Sequence, residues 1–446
     1  MTSDLGAFGR PRTRFTGVFA RYRYAVAAFD QAALSVFGFA LNICLLRALS
    51  ATDYGVVSLW MTMALFAVSI QGALVTGPIN IYLPGAEDPA MARRLGSAIA
   101  TVNLLAVLAT AAIAGLANFF GNTEWASHDP MTMIAIPLFI AAGMYREYYR
   151  STAFSRHDMT MLLWVDGPYL AVTTAGLGAM VLWPQRFADL AAAFLAMTIG
   201  CLVSQLCGRV RAANGPDRAE GRLFSDGWIG TYRRISGEVA WSLAGVFANH
   251  VQSRSYVYIA TSLAGVASLA TINAIGLLFR PVSVLVNAWG ASALPHLAAA
   301  LANGRIGEFD RTMAKALAGA AIASVAVGIG LWFAWPSIER HLLAGKYSDG
   351  ILLLLPWAAA SGASVLRYVA SIGLTAAREF KFLAKTQMIC GALAAGSTAG
   401  FILWQGYIGA MWGIAIGNGV CFVWELERLQ RVRSRTRAIA TAAQSN

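Results

Sequence analysis

Residues 35–47 read SVFGFALNICLLR, and residues 242–254 read SLAGVFANHVQSR. The two stretches are offset by 207 positions, and Ser35, Gly38, Asn42 and Arg47 fall on Ser242, Gly245, Asn249 and Arg254. Moving outward, a three-residue gap sets Gly55 on Gly265 and Ser58 on Ser268, and one further residue sets Leu83-Pro84 on Leu294-Pro295. A similar shift brings Arg146 near Arg367. An ordered set of matches at closely similar offsets marks an internal repeat that divides the chain into two halves.

Each half is built from apolar blocks of about 20 residues, the length that crosses a bilayer as a helix. Of the 446 residues, 57% are hydrophobic and 13% are charged, against about 25% charged in soluble domains. Twelve spans are expected, at about 25–46, 56–82, 95–120, 131–149, 160–183, 187–208, 235–257, 265–293, 313–335, 350–375, 385–404 and 406–427. Six per half gives both halves the same orientation. The expected fold is an all-α integral membrane protein with two six-helix lobes related by a parallel pseudo-two-fold repeat. The N-terminal lobe is placed at 1–208, a basic cytoplasmic linker at 209–234, the C-terminal lobe at 235–428 and a basic cytoplasmic tail at 429–446. Transport proteins use such repeats to place a site between two rocking lobes.

The chain carries 34 basic and 22 acidic residues, a net charge of +12. With the N-terminus inside, 27 of the 34 fall on the cytoplasmic side, five outside and two within spans. That asymmetry follows the positive-inside rule and accounts for the charge without nucleic acid. Arg10, Arg12, Arg14, Arg21 and Arg23 precede a full-length apolar stretch, which reads as a first transmembrane helix rather than a signal peptide. The placement is therefore a multi-pass bacterial inner-membrane protein with both termini cytoplasmic. Between Arg209 and Arg234 the linker carries six arginines with Gly215-Pro216, suited to anionic membrane lipids.

Cys44, Cys201, Cys207, Cys390 and Cys421 all sit in apolar blocks and form no C-x-x-C pair. They read as small buried hydrophobes. His128, His157, His250, His296 and His341 are too scattered for a metal cluster. No hydrolase elbow, P-loop, H-E-x-x-H or dinucleotide fingerprint occurs in a usable context. No cofactor, metal or catalytic residue is expected, and the chain is not read as an enzyme.

Function is therefore sought in polar groups within the spans, where they are costly. Arg47 and Arg254 lie near the outer ends of spans 1 and 7, and either snorkel to headgroups or face a cavity. Arg280 is mid-span and precedes Pro281, which frees a backbone carbonyl; it either lines a cavity or pairs with a buried carboxylate. Arg367 lies in span 10 and either faces the cavity or snorkels inward. These four are the candidate substrate-binding residues. Asp166 in Trp164-Val-Asp-Gly-Pro168, Glu238 opening span 7 and Asp30 opening span 1 are candidate coupling or ion-pair carboxylates, with headgroup-depth placement as the alternative. Asn42, Asn249, Gln71, Asn273 and Asn287 serve helix packing or substrate contact. An excess of guanidinium groups suits an anionic cargo, since the fork bonds two oxygens of a phosphate or diphosphate.

Asp30-Gln-Ala-Ala-Leu-Ser35, Leu46-Arg47-Ala-Leu-Ser50 and Tyr54-Gly55 resemble the N-terminal signature of bacterial polysaccharide flippases. These share a superfamily with multidrug and toxin extrusion antiporters. Arg146 to Asp166, with Ser155-Arg156-His157-Asp158, is similar to that family's helix 4–5 region, and Gly265 through Phe279-Arg280-Pro281 to Leu294-Pro295 to its second half. The resemblance covers most of the chain through diffuse patterns. It implies a V-shaped twelve-helix fold, alternating access, and export of an undecaprenyl-diphosphate-linked oligosaccharide for exopolysaccharide, capsule or O-antigen assembly. Polysaccharide polymerase or export machinery is an implied partner. Arg47, Arg280 and Asp166 fall on matching positions, whereas Arg254 and Arg367 rest on the repeat. A drug/cation antiporter on the same fold is the alternative, expected to be richer in carboxylates. A polymerase-type membrane enzyme would need a large outer loop, and every outer loop expected here is short.

Overall fold

The computed structural model describes residues 17–83, 88–121, 129–156, 158–187, 189–213 and 223–444. Arg10, Arg12, Arg14, Pro84, His128, His157, Gly215, Pro216, Arg218 and Arg222 lie outside the described residues. Among the described residues every regular element is helical. Twelve long helices follow one another: α1 (Gly17–Ala48), α2 (Ala51–Tyr82), α3 (Pro89–Phe120), α4 (Pro130–Ser155), α5 (Met159–Leu182), α6 (Leu190–Ala213), α7 (Ser236–Ala264), α8 (Val266–Ala302), α9 (Ile306–His341), α10 (Ile351–Ala376), α11 (Phe380–Gln405) and α12 (Ala410–Gln444). Nine stretches among the described residues are long and apolar enough to cross a membrane. One of these, Phe380–Ser434, holds both α11 and most of α12. The twelve-helix expectation is met once α4 and α7 are added. Their charges, including Arg146, Glu147 and Arg150 on α4, lower their apolarity.

Local chemistry sets the helix starts. Ser50, Asp88, Asp129 and Asp158 each accept a backbone N–H of the following turn at 2.8–3.0 Å, satisfying donors that lack an intrahelical partner. Pro89 and Pro130 follow two of these caps, where a missing N–H costs nothing. The Thr132 N–H holds the exposed Asp129 carboxyl below the usual carboxylate range.

The chain divides into two compact units, 1–246 and 247–446. In the first unit, Gln71 is fully buried on α2 and donates to Asn103 on α3 and to the Met144 carbonyl on α4, both at 2.7 Å. Immediately after it, α2 widens into a π turn, Gly72–Thr76, ahead of Pro78. Pro78 has no N–H for the Leu74 carbonyl one turn back. The hydroxyl of Tyr232 donates to that carbonyl at 2.6 Å. Tyr232 sits on the short helix Trp228–Arg233 of the inter-lobe connection. The connection is docked further by Phe224 N–H to Thr101 Oγ1 at 2.9 Å and by the Ser97–Ser225 hydroxyl pair at 2.7 Å. Ile235 and Val239 pack there against Val75, Ile79, Leu95 and Ile99.

In the second unit α8 is largely buried, while the apolar face of α9 is almost wholly exposed, with Ile322, Val325, Ile329 and Phe333 outward. That is the pattern of a central helix beside a lipid-facing one. Lipid supplies no hydrophobic force between helices, so packing rests on small residues and hydrogen bonds. Trp357 of α10 fills the space over Gly276 of α8 and donates its indole N–H to the Ile272 carbonyl at 2.8 Å. On α12, Gly413 and Gly417 lie one turn apart against Thr398 and Ala394 of α11, so close that a Cβ at either would overlap them.

Candidate functional site

Asp30 and Asp166, expected from sequence, are brought together in the first unit. Both are buried, 4% and 1% exposed. Arg150 of α4 joins them, with Nη2 at 3.1 Å from Asp30 Oδ2 and Nε at 2.9 Å from Asp166 Oδ2. The same Nη2 reaches Gln31 Oε1 at 3.1 Å. Arg146, one helical turn earlier, bonds the other oxygen of Asp166. Its guanidinium lies 3.8 Å over the Tyr169 ring, a cation–π contact that strengthens away from water. Glu147 completes the group, 3.7 Å from Arg150 Nη1.

Two guanidiniums therefore face three carboxylates drawn from α1, α4 and α5. Spacing explains the convergence: Arg146 and Arg150 are four apart and share a face of α4. Neither was singled out by the sequence as a site residue, because both look like positive-inside charges at a helix end. The signal available was the i, i+4 pair with Glu147 between. Glu238 is placed elsewhere, exposed in the first turn of α7, where it accepts a hydrogen bond from Tyr82. An acid there suits the helix N-terminus.

Arg47 is exposed in the last turn of α1, a favourable position for a cation. Its repeat partner Arg254 lies differently: α7 continues to Ala264, so Arg254 is inside the helix and half-buried. It acts electrostatically on His250 and Tyr258, which are joined at 2.7 Å.

Arg280 is exposed in the body of α8. Asn273 lies seven residues before it and Asn287 seven after, so the three form one stripe, since a helix drifts only about 20° per heptad. Asn287 is exposed, and Asn273 accepts from Tyr256 at 3.1 Å. Gly276, four residues before Arg280, packs under Trp357 of α10, so the stripe borders the α10 interface. Arg367 is half-buried on α10, beside the buried Glu425 of α12. Among the described residues, no group of three or more His, Cys, Asp or Glu is placed to hold a metal ion.

No family model and no curated protein matches the chain. Solved structures do. An inward-facing multidrug resistance MATE family transporter of the MOP superfamily aligns with 90% of this chain and 95% of its own, at TM-score 0.71 and 14% identity. An outward-facing one aligns over 91% and 94%, at TM-score 0.54 and 14% identity. The protein has the MATE transporter fold. A MOP superfamily transporter from Pyrococcus furiosus Vc1, whose reverse binding-pocket polarity suggests a different function, aligns over 90% and 93%, at TM-score 0.55 and 13% identity. At such identities the likeness is one of fold, and cargo has to be argued from the polar residues.

Proposed function

We propose that the protein is a transporter that moves an undecaprenyl-diphosphate-linked oligosaccharide across the bacterial inner membrane by alternating access. Its product feeds exopolysaccharide, capsule or O-antigen assembly. The observation that carries this reading is the Asn273–Arg280–Asn287 stripe in the body of a membrane-length helix, with Arg280 and Asn287 exposed and Asn273 half-buried. An arginine at the bilayer centre costs about 2.5–3.5 kcal/mol or more when it faces lipid. A polar stripe at that depth is the lining of a water-filled cavity. The guanidinium fork matches a diphosphate, and the flanking amides offer both donors and acceptors to sugar hydroxyls.

Arg254 and Arg367 add positive charge to the same unit, whereas Arg146 and Arg150 are committed to Asp30 and Asp166. In this reading Arg47, Arg254, Arg280 and Arg367 serve the anionic cargo. Asp30 and Asp166 hold the first unit together, and Glu238 anchors the start of α7. Both termini and the connection at 209–234 are cytoplasmic, where their arginines meet anionic lipid. The polymerase and export machinery act downstream of the flipped cargo.

The second reading is a drug/cation antiporter. The observation favouring it is the surplus of carboxylates, Asp30, Asp166 and Glu147, over the two arginines among them. The lipid-linked glycan pool of cells lacking the protein separates the two. Accumulation of a diphosphate-linked oligosaccharide on the cytoplasmic face, with loss of surface polysaccharide, is expected. An unchanged pool with new sensitivity to cationic drugs would favour the antiporter instead.

A further inference from the structure

Among the buried polar atoms of the second unit that lack a hydrogen-bond partner are both amide atoms of Gln252, Nε of Arg367 and Oε2 of Glu425. Buried polar groups are almost always satisfied, so each exception needs a reason. These four atoms share one place. Gln252 comes from α7, Arg367 from α10, Cys390 from α11, and Cys421 and Glu425 from α12. Cys421 Sγ lies 3.4 Å from Glu425 Oε1 and is also within bonding reach of Gln252 and Cys390. Arg367 acts on Glu425 and both thiols electrostatically. Gln252, Cys390, Cys421 and Glu425 are completely buried.

The backbone builds this chamber. Gly413, Gly417, Cys421 and Glu425 are spaced by four along the ridge of α12 that meets α11. The two glycines bring the helices into contact, and the ridge then carries Glu425 into the unit. Gly391 of α11 lies against the Gln252 backbone in the same way.

We propose that Glu425, framed by Gln252 and Arg367, is a proton-binding site of the second unit. The surroundings serve both forms of the carboxyl group. Ionised, Oε2 can accept from Arg367 Nε–H and Gln252 Nε2–H. Protonated, its O–H can donate to Gln252 Oε1, and Arg367 loses its counter-charge. Proton uptake forms one O–H bond, and the proton comes from water. A fixed ion pair would show its carboxylate bonded, as both oxygens of Asp166 are by Arg146 and Arg150 in the first unit, even though Arg146 Nε is left without a partner there. A sodium ion is a poorer occupant, because the Glu425 and Gln252 oxygens share the chamber with a guanidinium cation and two thiols. The other charges around α12 are committed: Arg428 to Glu379 at 2.9 Å, Arg431 to Glu427, and Arg433 to Asp310 of α9. Lys381 and Lys385 are exposed at the start of α11, away from the chamber. Release of Arg367 on protonation gives the transporter a means of changing its grip on anionic cargo. That role rests on the transporter reading, but the proton site does not.

The test is infrared difference spectroscopy of the full-length protein in lipid nanodiscs, stepped in pH with no cargo present. A buried carboxylic-acid carbonyl band is expected to appear on acidification. Glu425→Gln should lose it, Glu425→Asp should retain it at a shifted frequency, and Arg367→Gln should retain it with a displaced midpoint. The Asp variant and the wild-type spectrum stand even where the Gln variant does not fold. A spectrum unchanged by all three substitutions overturns the proposal, as does a band that follows sodium concentration rather than pH. Since no cargo is present, a wrong cargo assignment leaves this result untouched.

Discussion

Replacing Arg280 by Leu separates a cavity-facing arginine from a lipid-facing one by the sign of its effect on stability. Arg280 lies fourteen residues into α8, about 21 Å along it at 1.5 Å per residue. The whole helix has 37 residues and spans about 55 Å. A hydrocarbon core of about 30 Å centred on it places Arg280 about 7 Å from the middle. In lipid at that depth arginine costs about 2.5–3.5 kcal/mol and leucine gains about 0.5. The substitution would then stabilise the protein by about 3 kcal/mol. In a wet cavity it should change stability by under about 1 kcal/mol. It should also remove charge-assisted bonds to the diphosphate worth about 1.5–3 kcal/mol, a loss of roughly 10- to 150-fold in cargo affinity. The assay pairs thermal unfolding of the purified protein with surface polysaccharide in cells at equal membrane level. The expected outcome is an unmoved melting temperature and lost export. A melting temperature raised by several degrees with export intact would refute the cavity argument and the cargo reading built on it. Lys at the same position tests whether charge alone suffices.

Three further outcomes follow from the packing. Arg150→Ala leaves Asp30 without its shared partner, and breaking such a buried pair costs about 3–5 kcal/mol; a melting temperature within a degree of wild type would contradict the network. Tyr232→Phe strands the Leu74 carbonyl and should cost about 1–3 kcal/mol, read as faster amide exchange along the end of α2. Burial pushes the Tyr232 hydroxyl up to about 12, so the folded state loses stability as pH rises from the free tyrosine value of about 10 through that point. The Phe variant should lose this share of the alkaline sensitivity. Gly417→Val drives a side chain into Ala394 of α11 and should lower the yield of folded protein, whereas Gly419→Val meets open space and should not.

The all-helical fold and the helix number were legible because span length is a one-dimensional property. The place of Arg280 within the body of α8 was legible for the same reason, since it follows from position in an apolar run. Arg150 was not, since a charge near a helix end looks alike whether it faces water or two carboxylates from other helices. Nor was Glu425, which sits at the expected end of span 12. Only the ridge of Gly413, Gly417 and Cys421 carries it inward, because α12 continues well past the apolar block. Arg254 shows the limit of the repeat: sequence match set it beside Arg47, yet α1 stops at Ala48 while α7 runs on to Ala264.

The bond between Tyr232 and the Leu74 carbonyl spans 158 residues of chain. A ribosome adding about 5–20 residues per second needs roughly 8 to 30 s to cover that distance. Throughout that interval α2 sits in the membrane with the gap left by Pro78 open, waiting for an acceptor's partner that has not been made. The first unit therefore reaches its finished form only after the connection that leads out of it has emerged.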